Sequence, residues 1–193
     1  MTHTRTLVPA ALAALALVAA GCGGSKEQST ADKYAAQAEQ QATTQPKPEE
    51  VKPPVAQKVD PGPGEGDLNA KPKIPQQTGN PPAKLVAQDV IVGTGAEAKN
   101  GDKVSVQYVG VLYKNGKEFD SSWKRKQPFE FTIGAGNVIQ GWDEGVLGMK
   151  VGGRRRLIIP ADLAYGAQGQ PPTIPPNSAL VFDIDLKQVN GQS

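Results

Sequence analysis

The last 106 or so residues predict an α+β domain: an antiparallel, twisted sheet wrapped around one short helix. Three observations carry that expectation. Short runs of β-branched residues recur at strand density, an Asn-Gly turn joins two of them, and only one stretch places apolar residues at helical spacing.

The elements follow in order. Val86 to Val92 and Val104 to Leu112 read as strands with partial period-two alternation. Lys114-Asn115-Gly116-Lys117 is a hairpin turn, since Asn-Gly tolerates the positive φ angles that tight turns need. Phe129 to Ile133 alternates again. Arg154 to Ile159 and Ala179 to Val189 bring the total to five or six strands. Ile139 to Leu147 is the expected helix, because Ile139, Trp142, Val146 and Met149 recur three and four residues apart on one apolar face. The folded domain is expected over residues 84–190.

Residues 22–83 read as a different polymer. The stretch from Gly23 to Ala83 holds ten of the chain's 17 prolines and a single aromatic, Tyr34. Pro-Pro and Pro-Gly-Pro-Gly runs oppose long helices and paired strands. Only Ala31 to Ala42 has the composition of a short helix. The whole segment is therefore expected to be a disordered tether, spanning roughly 40–50 Å as a coil. Its use would be to lift the domain off a surface.

The first 21 residues read as an export signal. His3 and Arg5 make a weakly basic start, and Leu7 to Ala20 is an apolar run too short for a membrane span. The run ends in Ala19-Ala20-Gly21-Cys22, which resembles the bacterial lipobox, although Ala19 stands where leucine is usual. That resemblance implies cleavage before Cys22, a lipid thioether and acylation there, and an extracytoplasmic protein anchored to a bacterial membrane. The alternative is an ordinary signal peptide that leaves Cys22 as a free thiol.

Composition excludes several chemistries. The net charge is +2, and losing Arg5 with the signal leaves 20 basic against 19 acidic residues, so nothing drives binding to nucleic acid. The single His and the single Cys, His3 and Cys22, both lie in the export segment. The domain thus lacks the usual nucleophile, general base and soft metal ligands, and no cofactor or metal is expected. Gly93-Thr94-Gly95-Ala96-Glu97-Ala98 matches a dinucleotide-binding pattern formally, but Asn100-Gly101 breaks the chain where a helix should open. Asp143 and Glu144 suit a helix start better than a shared acid–base role. Arg154-Arg155-Arg156 would alternate faces on a strand and reads as a solvated edge. Nothing suggests a dimer seam, so a monomer is expected.

What remains is aromatic. Nine of the ten aromatic residues lie between Tyr108 and Phe182. Trp142 falls on the inward helix face, Ala164-Tyr165-Gly166 puts a tyrosine on a tight loop, and Phe119-Asp120-Ser121-Ser122 sets an acid beside an aromatic. By spacing alone each reads first as core. Together they also fit an apolar pocket with a few polar groups.

Seven segments in order make a family visible: Gln107-Tyr108-Val109-Gly110, Phe119 to Ser122, Pro128-Phe129-Glu130-Phe131, Val138 to Trp142, Ala164 to Gly166, Ile174-Pro175-Pro176 and Leu180-Val181-Phe182-Asp183. This series resembles the FKBP-type peptidyl-prolyl cis–trans isomerases. The resemblance implies a five- to six-stranded antiparallel half-barrel wrapping one helix. It also implies a proline pocket formed by Tyr108, Phe119, Asp120, Phe129, Val138, Ile139, Trp142, Tyr165, Ile174 and Phe182. Of these, Asp120, Tyr165, Phe182 and Trp142 would be catalytic. Trp142 would floor the pocket, the Ile139 N–H and Tyr165 hydroxyl would bind substrate carbonyls, and Asp120 would lie by the rotating amide and pair with Arg125. Gln170 and Thr173 depart from the family pattern, where histidine and an aliphatic residue are common. Partners implied are proline-containing segments of exported proteins still folding, and macrolide ligands.

The implied mechanism suits this composition. Rotation about X-Pro crosses about 18–20 kcal/mol because the planar amide is resonance-stabilised. The twisted amide is less polar than either planar form, so a dry pocket favours it without a base or nucleophile. The same pocket would also serve a non-catalytic proline-binding or chaperone module.

Overall fold

The structure is a computed structural model and describes residues 52–193. The export signal, Cys22, the Ala31–Ala42 stretch and the first part of the expected tether lie outside the described residues.

The strands are β1 (Gln57–Lys58), β2 (Val86–Ile91), β3 (Lys103–Leu112), β4 (Glu118–Ser121), β5 (Phe129–Thr132), β6 (Arg154–Ile159) and β7 (Leu180–Val189). Two one-turn helices, α1 (Ser122–Arg125) and α2 (Gln140–Gly145), and a 3-10 turn at Ala161–Leu163 complete the list. The seven strands form one open sheet in the order β1-β2-β6-β7-β3-β4, with β5 also on β3. β4 and β5 share one edge of β3 end to end, while β7 occupies the other.

Every pairing is antiparallel except β1 with β2, which makes the sheet mixed. The expected all-antiparallel sheet of five or six strands is corrected on that point. A two-residue strand carries no detectable alternation, so nothing in the sequence marks β1.

The Asn-Gly turn closes β3 onto β4: Gly116 sits at φ 65°, and the Leu112 N–H donates to the Lys117 carbonyl at 2.9 Å. On β7, Leu180, Phe182, Ile184 and Leu186 face the inner core, while Val181, Asp183 and Asp185 alternate onto the outer face. The helix is shorter than the expected 139–147. Ile139 is its N-cap in an extended conformation, and Val146 and Met149 are buried beyond its end. Gly141 and Gly145 let it lie on β6, since a Cβ at Gly141 would come 2.5 Å from Ile159 and one at Gly145 would strike Leu157.

The arginine triplet overturns the solvated-edge expectation. β6 is internal, and Arg154, Arg155 and Arg156 are all buried, Arg154 to 0% exposure. Arg154 faces its register partner Asp185 and Arg156 faces Asp183, with Nε–Oδ1 distances of 2.5 and 2.7 Å. Burial still holds both aspartates above the usual carboxylate range, against the pull of the guanidinium groups. Arg155 turns inward, pairs with Asp89, and donates to the Gly145 and Leu147 carbonyls at the end of α2.

The tether expectation is corrected over residues 52–83, which follow a defined path on the domain. The Glu65 carboxylate accepts from Arg156 at 2.6 Å, and its carbonyl accepts from Arg154 at 2.6 Å. A segment poor in apolar residues is held here by polar contacts to buried guanidinium groups, which offset the ordering entropy that composition alone leaves uncompensated.

Candidate active site

The aromatic residues converge on a cavity of about 240 Å³ at the inner face of the sheet. Larger clefts elsewhere, about 560–610 Å³, have no comparable aromatic floor. β3 supplies Tyr108, β4 supplies Phe119 and Asp120, β5 supplies Phe129 and β7 supplies Phe182. Asn137, Val138 and Ile139 enter from the loop before α2, Trp142 from α2 itself, and Tyr165 from the loop after the 3-10 turn.

Trp142 is the hub of this cluster and is 4% exposed. Tyr108, Phe182 and Phe129 meet it edge-on at ring distances of 5.0, 5.2 and 6.1 Å. Phe119 meets Phe182 at 5.5 Å and 90°. Edge-to-face pairs of this kind each contribute about 0.5–1.5 kcal/mol beyond burial, so the rings of the cavity wall hold one another in place. Among the described residues, the buried Trp142 indole N–H has no hydrogen-bond partner.

Gly110 makes the Phe119–Phe182 contact possible. It is paired with both Phe182 and Asp120 across β3, and a Cβ there would come 2.7 Å from Phe182 and 2.8 Å from Phe119. The Ser121-Ser122 pair secures the same junction. Ser122 accepts the Tyr108 N–H at 2.8 Å and donates to the Gln107 side-chain carbonyl.

The polar side of the cavity is one network. The Tyr108 hydroxyl donates to Asp120, and Arg125 donates to the other Asp120 oxygen at 2.5 Å and to the Tyr108 hydroxyl at 2.7 Å. The Arg125 guanidinium also lies 5.5 Å from the Tyr108 ring centre. Burial pushes the Tyr108 hydroxyl up to about 12, and its bond to Asp120 adds to the effect. Burial also pushes the Asp120 carboxyl up, but the hydrogen bonds from Tyr108, Arg125 and the Ser121 N–H outweigh it and leave the group below its ordinary value. Burial, then the Asp120 charge, raises Tyr165.

Neither the Ile139 N–H nor the Tyr165 hydroxyl has a hydrogen-bond partner among the described residues, and both residues line the cavity. The loop carrying Ile139 is pinned by Asp143, whose carboxylate accepts the Gly134 and Gly136 N–H groups at 2.8 and 3.2 Å. Both glycines have positive φ, which a side chain would strain.

Nine of the ten residues expected at the pocket line the cavity. Ile174 does not. It is 2% exposed in the inner core, with its N–H and carbonyl both bonded to Gln170. Its place beside Pro175-Pro176 suggests a loop contact, but the Gln170–Ile174 bridge turns the side chain into the core. Gln170 and Thr173 are also outside the cavity lining. Asn137 is a lining residue that sequence reasoning missed, since it sits in an otherwise unmarked glycine loop.

An apolar aromatic cavity lined by residues with unpaired donors, and by no group that changes charge near neutrality, suits a small apolar ring carried on a polar backbone. A family model described as FKBP-type peptidyl-prolyl cis-trans isomerase matches residues 95–187. An FK506-binding protein of Streptomyces anulatus is 52% identical over 120 residues, 62% of this chain and 97% of its own length. Another, from Neisseria meningitidis serogroup A, is 48% identical over 105 residues, 54% of this chain and 95% of its own. Among solved structures, AtFKBP13 matches with TM-score 0.52 at 43% identity, covering 58% of this chain and 96% of that one. FkpA from Escherichia coli matches at 0.50 and 48% identity, covering 54% and 47%. The chain belongs to the FKBP-type peptidyl-prolyl cis–trans isomerases.

Proposed function

We propose that this isomerase works outside the cytoplasm, anchored by lipid at Cys22, on proline-containing segments of exported proteins that are still folding. The apolar run Leu7 to Ala20 and the Ala-Gly-Cys that follows support the location. The cavity takes the prolyl ring against Trp142, with Phe119, Phe129, Val138 and Phe182 around it. The Ile139 N–H and the Tyr165 hydroxyl bind carbonyls on either side of the proline. Asp120, kept ionised by Tyr108 and Arg125, lies beside the rotating amide and orients the Tyr108 ring.

One observation carries the reading: the cavity is walled by aromatic rings packed edge to face, and the Ile139 N–H and Tyr165 hydroxyl on its lining are unpartnered among the described residues. Such a site selects the twisted amide by shape and by exclusion of water. Each tenfold in rate requires about 1.4 kcal/mol, so a few such effects together lower a barrier of about 18–20 kcal/mol usefully. By analogy with the relatives' names, FK506 and similar macrolides fill the same cavity. A protease-coupled proline-peptide assay of the full chain tests the activity. Turnover inhibited by FK506 is expected; a folded protein with background rates refutes it. Release of the protein from membranes by Cys22→Ser tests the anchor, and unchanged membrane association would refute that part.

A further inference from the structure

β4 carries two cavity residues, Phe119 and Asp120, and is, like β5, a short edge strand of the site. It is four residues long, lies at the sheet edge, and pairs only with β3 through an irregular register between Gly110 and Val111. Glu118 occupies that irregular step, opposite Val111. Something besides the ladder must fix it.

Residues 62–80 supply that support from outside the 95–187 span matched by the family model. At one end they are anchored on β6 and β7: Glu65 binds Arg156, the carbonyls of Glu65, Asp67 and Ala70 receive the Arg154 guanidinium, and Lys187 donates to the Leu68 carbonyl. At the other end they grip the β3–β4 hairpin. Lys71 pairs with Glu118 at 2.6 Å, Gln76 donates to the Lys114 carbonyl, and the Tyr113 hydroxyl reaches the Thr78 and Asn80 carbonyls at 3.1 and 3.2 Å. Ile74 packs on the same outer cluster as Trp123 of α1. Lys124 of α1 holds the other Glu118 oxygen at 2.8 Å, and Arg125 follows it into the Asp120 network.

We propose that residues 62–80 are an intrachain strap that clamps the β3–β4 hairpin from the outer face of the sheet, with Lys71 as a positioning residue for Phe119 and Asp120. The strap joins the β6–β7 ion-pair layer to β4, one of the two edge strands of the site. Lys71 touches no substrate; it acts through Glu118 on the two residues that follow.

The inference rests on the isomerase reading of the cavity, and its test separates the two. Full-length Lys71→Met and Lys71→Arg are compared with wild type in the proline-peptide assay at 10 °C, alongside backbone amide chemical shifts. Lys71→Met is expected to lower kcat/KM about two- to fivefold, the range a half-exposed ion pair transmits, mainly through kcat. Lys71→Arg is expected to restore it. The Phe119, Asp120 and Arg125 amide signals should move in Lys71→Met while those of Val138 and Ile139, on the loop before α2, stay. A wild-type kcat/KM in Lys71→Met, or a loss that arginine does not restore, overturns the strap's role. If wild type itself fails to turn over, the isomerase reading falls, and the amide shifts alone decide the strap: no movement at Phe119 and Asp120 overturns it.

Discussion

Gly110→Ala places one methyl group between the two rings that close the side of the cavity. Its Cβ would lie 2.7 Å from Phe182 Cε1 and 2.8 Å from Phe119 Cζ. Carbon atoms in good contact are about 3.5–4.0 Å apart, so each ring must retreat by roughly 0.7 Å. Phe182 cannot do so freely, since it is 4% exposed and packed against Trp142. Overpacking of this kind costs about 1–3 kcal/mol of stability. The catalytic cost should be larger in proportion. A misplacement of about 1 Å can lower a rate about a hundredfold, so roughly 0.7 Å on two walls predicts a fall in kcat/KM of about ten- to thirtyfold. Urea unfolding measures the first quantity, and the protease-coupled assay at 10 °C measures the second. A folded Gly110→Ala protein with wild-type kcat/KM would refute the claim that the Phe119–Phe182 contact shapes the site.

Activity should be flat from pH 6 to 8, because Tyr108 is pushed up to about 12 and Asp120 is held below its ordinary value. The sign is fixed for each group. The raised Tyr108 stabilises the fold fully below its unfolded value of about 10 and loses that effect as pH rises through about 12, whereas the depressed Asp120 stabilises it above its unfolded value of about 3.9 and loses that effect as pH falls through its folded value. An inflection in kcat/KM between pH 6 and 8 would contradict both assignments. Asp183→Asn removes a buried partner of Arg156 and should lower unfolding free energy by about 3 kcal/mol in urea; a change below about 1 kcal/mol would mean that the ion-pair layer is not structural. Ile174→Val should cost about 1 kcal/mol and leave KM unchanged, because the side chain packs in the core outside the cavity. A raised KM with unaltered stability would return Ile174 to the site.

Strands β2, β3, β5, β6 and β7 and the Asn115-Gly116 turn were legible because period-two alternation and turn chemistry are local signals. The site aromatics were legible through the family resemblance, whereas their spacing alone also fitted a core. What stayed hidden lacks periodicity. The strap is held by Glu65, by three carbonyls on Arg154 and by Lys71, contacts that composition does not register. The arginine triplet reads as solvated until Asp183 and Asp185 are placed opposite it in register. One-turn α1 is too short for a helical pattern, and its value lies in delivering Lys124 and Arg125 to the Glu118 and Asp120 side chains. Asn137 reaches the cavity because Asp143 folds the glycine loop, a tertiary contact.

The central claim is that the cavity accelerates rotation by shape and dryness, with no proton in flight. The solvent deuterium isotope effect on kcat/KM for a proline peptide tests it most directly. Rotation without proton transfer predicts a ratio of about 1 in H2O against D2O, whereas general acid–base catalysis by Asp120 or Tyr165 would give a ratio of about 2 or more and contradict the account.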